Sequence, residues 1–219
     1  MLTLYATTLS ANGRKALAVA RHLNLNVNEQ NVNVYAGEGL DEQYRSLNPW
    51  GKIPTLVDGD FVLWESNAIL VYLAESYGDF LLSLRNVQKR ADILRWLFWE
   101  SSHWQPVLSR VLATSVGNIL FKNSNNESIK PDWNDPELVS LLSFLESQLA
   151  MRYYLSGDEL TLADFSVAGM TTYFHLCGFP YSEYPKISQW LGRLARLPAW
   201  VSTEEPLWLG EMGRGRLNI

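Results

Sequence analysis

Residues 51–70 read GKIPTLVDGDFVLWESNAIL. Two strand-like runs, Thr55–Val57 and Phe61–Trp64, are joined by Asp58-Gly59-Asp60. An Asp-Gly step between apolar runs signals a hairpin, because the turn needs left-handed backbone that glycine adopts freely. Pro54 stands at the head of the first strand, where no ladder N–H is required of it. Glu65 and Ser66 then interrupt an apolar run just where helical spacing begins, with Ile69, Tyr72, Leu73 and Ser76 on one face. The stretch reads strand, turn, strand, helix, and leaves a proline, a carboxylate and a hydroxyl to be explained.

Upstream, Leu2–Ala6 reads as a strand, Asn12–Asn24 as a helix and Leu25–Val34 as a second strand. Asp41–Leu47 reads as a short helix. The order is βαβ followed by ββα. A strand–helix–strand unit implies a parallel pair. Adding the hairpin gives a small mixed four-stranded sheet, the thioredoxin-like arrangement.

Downstream, GDFLLSLRN reads as a connector and almost everything after it as helical. Val87, Ala91, Leu94, Phe98, Ser101, Trp104, Leu108 and Leu112 trace one face of a long helix. Pro106 should kink it, because proline has no N–H and crowds the Ser102 carbonyl. NSNNESIKPDWNDP is a polar loop, and Pro136 opens a helix to about Leu149. Thr161 and Asp164 form a capping box, with Leu160 and Phe165 as a staple, so a helix starts at Thr161. Ile187, Trp190, Leu191 and Leu194 mark a last helix, and GEMGRGRLNI reads as a tail. The expected organisation is an α/β thioredoxin-like domain at 1–78, a linker at 79–88 and an all-α domain at 89–219.

Bulk properties narrow the function. The chain has 219 residues, is 47% hydrophobic and carries a net charge of −5. That charge gives no electrostatic case for nucleic acid or an anionic membrane surface as partner. No apolar run approaches the roughly 20 residues of a membrane span, and MLTLYATTLS lacks the basic start of a signal peptide. One cysteine, Cys177, excludes an internal disulfide and a Cys-x-x-Cys pair, which fits a reducing cytoplasm. His22, His103 and His175 are scattered, with no metal or acid–His–nucleophile spacing. Metal and prosthetic group are therefore not expected.

Four local patterns occur in order on this frame: LSANGRK at the first helix, NPWGKIPTLVDGD into the hairpin, LWESNAI at the third helix, and LTLADF. Together they resemble the cytosolic glutathione transferase family over almost the whole chain, as a serine-type, bacterial-like member. The resemblance implies a detoxifying transferase, with glutathione as co-substrate and a small hydrophobic electrophile as its acceptor. Conjugation is the leading expectation. Glutathione-dependent disulfide or peroxide reduction is the enzymatic alternative, and a non-catalytic interaction module on the same fold is another.

The resemblance also answers the opening question. It implies a cis bond at Ile53–Pro54 that turns the Ile53 N–H and C=O outward, so that the cysteinyl unit of glutathione pairs there by strand addition. On the residues alone, Pro54 could simply begin an edge strand. Ser66 is expected to donate its hydroxyl to the γ-glutamyl carboxylate at a helix N-terminus, and Glu65 to meet the ammonium. Ser66 as a plain N-cap is compatible with that role. Lys52 is the candidate for the glycyl carboxylate. Several classes of the family place basic residues before the second helix, where this chain has acidic AGEGLDEQ, with Arg45 the nearest cation.

For the reacting thiol, Ser10 matches the serine of serine-type members and is expected to donate a hydrogen bond to the thiolate. Asn12 is the rival or helper, because SANGRK also resembles a Thr/Ser-Pro-Asn-Gly motif of a bacterial and fungal subgroup. Tyr5 is a further candidate, placed inside the first strand. Arg14 and Cys177 read as structural. Trp99, His103, Trp104 and Tyr173 are candidate walls for the electrophile, at a spacing that a core would share. Trp50 matches a loop that inserts an aromatic into a second subunit, implying a homodimer.

Overall fold

In the computed structural model, which describes residues 1–78, 81, 86–121 and 130–204, four strands form one sheet. They are β1 (Leu2–Tyr5), β2 (Asn28–Gln30), β3 (Thr55–Asp58) and β4 (Phe61–Trp64), in the order β2-β1-β3-β4. β1 and β2 are parallel, with Leu4 opposite Glu29. β3 runs antiparallel to both neighbours, with Tyr5 opposite Thr55 and Thr55 opposite Trp64. Gly59 closes the hairpin at φ 60°, the left-handed region expected of it. Leu4 and Leu56 sit side by side at the centre of the sheet and are buried.

Helices α1 (Ala11–His22), α2 (Glu42–Leu47) and α3 (Ser66–Tyr77) complete the βαβ-ββα order. α1 buries every residue from Gly13 to Ala20 and packs on α3. The buried face of α3 is Ile69, Leu70, Leu73 and Ala74, rotated from the expected one; Tyr72 is half-buried and Ser76 exposed. Tyr72 points to the hairpin instead, where its hydroxyl donates to Asp58 at 2.8 Å.

β2 is shorter than the expected Leu25–Val34 strand. α1 closes with Asn24 at φ 54°, and only Asn28–Gln30 pair with β1. Val32 leaves the sheet to pack with Tyr44 and Ile53, and Val34 begins a 3₁₀ turn.

Beyond the expected connector, most of which lies outside the described residues, come α4 (Val87–Trp99) and α5 (Gln105–Phe121). Between them, Glu100–Trp104 forms a wider turn in which the Gln105 N–H reaches the Glu100 carbonyl, five residues back. Pro106 explains its position, because the carbonyls preceding a proline lose their donor and must open outward. The extra residue shifts the buried face to Ile93, Trp96, Leu97, Glu100, Trp104, Val107, Leu108 and Leu112. Val87 and Phe98, expected on that face, are exposed.

α6 (Pro136–Met151) starts at Asp135, whose carboxylate accepts the Leu138 N–H at 3.0 Å. α7 (Leu162–Gly169) starts at the expected capping box. Asp164 does more than cap: it accepts hydrogen bonds from the Thr161 N–H, the Leu155 N–H and the Trp190 indole, all within 3.0 Å. Trp190 lies on α8 (Pro185–Leu194), so one buried carboxylate fastens α7 to α8. Burial pushes that carboxyl up to about 6 despite these donors.

Among the described residues, those up to Ala91 and those from Ala195 to Glu204 form one compact unit, and 92–194 form the second. The segment after Leu194, expected within the all-α part, instead returns as a helical turn, α9 (Pro198–Val201), against α1. Arg14 holds it: its Nε donates to Thr203 Oγ1 at 3.0 Å, and its guanidinium lies 4.3 Å from the Trp200 ring centroid. The GEMGRGRLNI tail lies outside the described residues.

Candidate functional site

The first unit brings three backbone features toward one another: the N-terminus of α1, the N-terminus of α3, and the loop leading into β3. Ser10 is the N-cap of α1, and its Oγ accepts the Gly13 N–H at 3.3 Å. An accepting hydroxyl keeps its own hydrogen for another partner. No acidic residue stands in the first turn of α1, so its partial positive charge is not neutralised locally. The Thr7 carbonyl lies so close to this turn that a Cβ on Gly13 would sit 2.3 Å from it. Gly13 is thus required where the β1–α1 loop, which also gives the Ser10 N–H its acceptor, folds over the helix.

Glu65, at φ 73°, is the N-cap of α3, and its side chain makes no capping hydrogen bond. Ser66 is the first helical residue, so the N-cap role expected of it falls to Glu65. The Ser66 hydroxyl instead donates to Asn12 Oδ1 at 3.1 Å. That bond ties the first turn of α1 to the first turn of α3, two positive helix ends side by side.

The third feature is the 48–55 loop. The Ile53–Pro54 bond is cis. The Ile53 side chain packs with Val32 and Tyr44, while neither its N–H nor its C=O bonds to another backbone group among the described residues. A buried polar cluster fixes the loop from below. The Lys52 carbonyl accepts the Tyr44 hydroxyl at 2.6 Å and the Asn48 side-chain amide at 2.8 Å. Both donors also meet Thr55 Oγ1, at 2.8 Å and 3.0 Å. Asn48 Oδ1 accepts the Trp50 N–H. Sequence reading missed this cluster; the one signal was a polar Asn, Tyr and Thr around an apolar strand start.

The acidic 37–42 loop touches the same place through glycines. A Cβ on Gly39 would lie 2.3 Å from the Gly51 oxygen, and one on Gly51 would lie 2.5 Å from the Gly39 oxygen. Glu38 turns its carboxylate to the Asn33 N–H at 2.6 Å. Arg45 donates to the Pro49 carbonyl at 3.4 Å. Lys52 is exposed.

The remaining candidates are dispersed. Tyr5 is the last residue of β1 and not interior to it, and its ring packs against Tyr44. Trp50 is 71% exposed. In the second unit Trp104 is fully buried, stacked on half-buried Trp99, with its indole donating to the Val167 carbonyl at 3.1 Å. Tyr173 is buried and His103 is exposed. Cys177 is buried, which pushes its thiol up to about 11. Among the described residues, no helix is long and apolar enough to cross a membrane.

Comparison with known proteins bears on this geometry. Residues 1–75 match the glutathione S-transferase N-terminal domain, and residues 134–193 match the glutathione S-transferase C-terminal domain. Glutathione S-transferase F10 of Arabidopsis thaliana is 30% identical over 210 residues, 91% of this chain and 94% of that protein. The chain belongs to the glutathione S-transferase family. Glutathione S-transferase D7 of Drosophila melanogaster is also 30% identical, over 96% of this chain and 92% of its own length. A glutathione transferase homolog from Drosophila mojavensis, solved with bound glutathione, superposes with a TM-score of 0.80 at 27% identity, covering 94% of this chain and 93% of that one. These relatives are plant and insect proteins, so the expected placement as a serine-type, bacterial-like member has no support. Glutathione transfer is the activity that goes with this membership, and neither reductase nor interaction module is favoured.

Proposed function

We propose that the first unit binds glutathione across the three features and that Ser10 generates its thiolate. The cysteinyl backbone pairs with the N–H and C=O of Ile53 as an added strand. The γ-glutamyl carboxylate sits at the N-terminus of α3 and takes the Ser66 hydroxyl, and Glu65 meets the ammonium. Lys52 holds the glycyl carboxylate. The thiol then lies at the N-terminus of α1, where the free hydrogen of Ser10 donates to sulfur and Asn12 assists.

The observation that carries this reading is the Ser66–Asn12 bond of 3.1 Å. It places the helix end suited to a carboxylate beside the one suited to a thiolate. A free thiol has a pKa of about 8.5, and a donated hydrogen bond plus a helix N-terminus favour the anion. The thiol proton passes to solvent. The thiolate lone pair forms a C–S bond to the electrophile, and the leaving group departs with its electron pair, or the π pair shifts and is protonated. Catalysis is thiolate formation plus proximity.

The acceptor is a small hydrophobic electrophile, with half-buried Trp99 and exposed His103 as candidate walls; Trp104 and Tyr173, expected beside them, are buried as core residues instead. The protein acts as a cytoplasmic homodimer with Trp50 at the subunit contact, which its exposure on a braced loop supports. The direct test is conjugation of glutathione to an activated aryl halide. Turnover that falls at least tenfold in Ser10→Ala supports the reading. Absence of turnover across a panel of aryl halides, enones and epoxides contradicts it.

A further inference from the structure

The Ser66 hydroxyl carries one hydrogen, and two acceptors claim it. In the structure it is given to Asn12 Oδ1 at 3.1 Å. In the binding mode above, the γ-glutamyl carboxylate takes it. A serine hydroxyl donates once, so both bonds cannot exist together. We propose that the Ser66–Asn12 pair is a substrate-operated latch: a carboxylate arriving at α3 accepts the Ser66 hydrogen bond in place of Asn12 and releases the Asn12 amide beside Ser10.

This inference rests on the glutathione reading and deepens it. Before binding, Asn12 Oδ1 is held toward α3, and the amide is fixed across the gap between the two helix ends. Ser66 is buried, so water competes poorly for the bond. A carboxylate is the stronger acceptor, because its charge roughly doubles the strength of the hydrogen bond. Once the hydroxyl changes acceptor, the amide is free to turn its N–H groups toward sulfur, next to the Ser10 hydroxyl at the start of the same helix. Recognition of the γ-glutamyl end thereby adds a second donor only when substrate is seated. Asn12 has an opposite effect on ligand-free protein: it competes with substrate for the Ser66 hydrogen bond.

The competition gives a test of unusual sign. The probe is γ-glutamyl-alanyl-glycine, which keeps the carboxylate and lacks the thiol. Its Kd is measured by calorimetry on the full chain, with thermal melting to confirm that each variant is folded. Asn12→Ala should bind the probe about fivefold more tightly than wild type, the effect of one hydrogen bond of about 1 kcal/mol no longer lost on binding. Ser66→Ala should bind more weakly than wild type, and adding Asn12→Ala to it should change nothing further. Asn12→Asp, a stronger acceptor of that hydrogen bond, should weaken binding. A role for Asn12 in structure alone predicts weaker or equal binding in Asn12→Ala, and that result overturns the latch. The same tightening in the Ser66→Ala background overturns it too. If wild type binds neither this peptide nor glutathione, the glutathione reading falls and the latch with it.

Discussion

The Asn48 side-chain amide donates to the Lys52 carbonyl at 2.8 Å, immediately before the loop enters Ile53–Pro54. Asn48 is 1% exposed and makes three side-chain hydrogen bonds, to Lys52, Thr55 and Trp50. Its replacement by Ala removes all three bonds; the Lys52 carbonyl and the Thr55 hydroxyl keep the Tyr44 hydroxyl, while the Trp50 N–H loses its acceptor. Each lost hydrogen bond costs about 0.5–1.5 kcal/mol. Asn48→Ala should therefore destabilise the protein by about 2–4 kcal/mol in urea unfolding, and weaken glutathione at least tenfold by loosening the Ile53 backbone.

Gly13 makes a prediction of the same kind at α1. Its added Cβ would meet the Thr7 carbonyl at 2.3 Å, backbone that cannot yield locally. Gly13→Ala should push the β1–α1 loop off the helix and carry Ser10 with it. Its kcat/KM for conjugation should fall at least tenfold, since about 1.4 kcal/mol of misplacement already costs a factor of ten. A variant with wild-type kcat/KM would show that Ser10 need not sit over this turn.

How legible these features were follows from their range. The hairpin, the α7 capping box and the βαβ-ββα order depend on residues a few positions apart, and the sequence displays them directly. Ser10, Ile53-Pro54, Glu65 and Ser66 were visible as family motifs. The Ser66–Asn12 bond joins residues 54 positions apart, and the Arg14–Thr203 bond joins residues 189 apart. No periodicity encodes such partners. The buried face through α4 and α5 was misread because the wide turn before Pro106 inserts a residue into the helical count. β2 was overestimated because Val32 and Val34 are apolar for packing with Tyr44 and Ile53, not for a strand.

Cys177 should be inert in the native protein. Burial raises its thiol from 9.0 to about 11, so the reactive thiolate is scarce at pH 8. An aromatic disulfide reagent should label it only after denaturation. The linkage has a definite sign. The unfolded thiol ionises near 9 and the folded one near 11, so the folded state binds more protons in that window. Its contribution to stability is complete below about pH 9 and is lost as pH rises to about 11. Rapid labelling of native protein at pH 8 would refute the burial.

Trp50 gives the quaternary prediction. An indole 71% exposed on a loop pinned by Asn48 is suited to a pocket on a second copy. Light scattering at micromolar concentration should return twice the 25.0 kDa chain mass, and Trp50→Ala should shift the equilibrium toward monomer. A wild-type monomer at that concentration would remove the dimer from the account.

The most direct measurement is the pKa of glutathione bound to the protein, followed by thiolate absorbance across pH in wild type, Ser10→Ala and Asn12→Ala. The account predicts a bound thiol well below its free value of about 8.5. Ser10→Ala should raise it by about one unit, the size of one hydrogen bond to a charged acceptor, and Asn12→Ala by less. Saturable binding with an unshifted thiol in wild type, or a Ser10→Ala value equal to wild type, would contradict it.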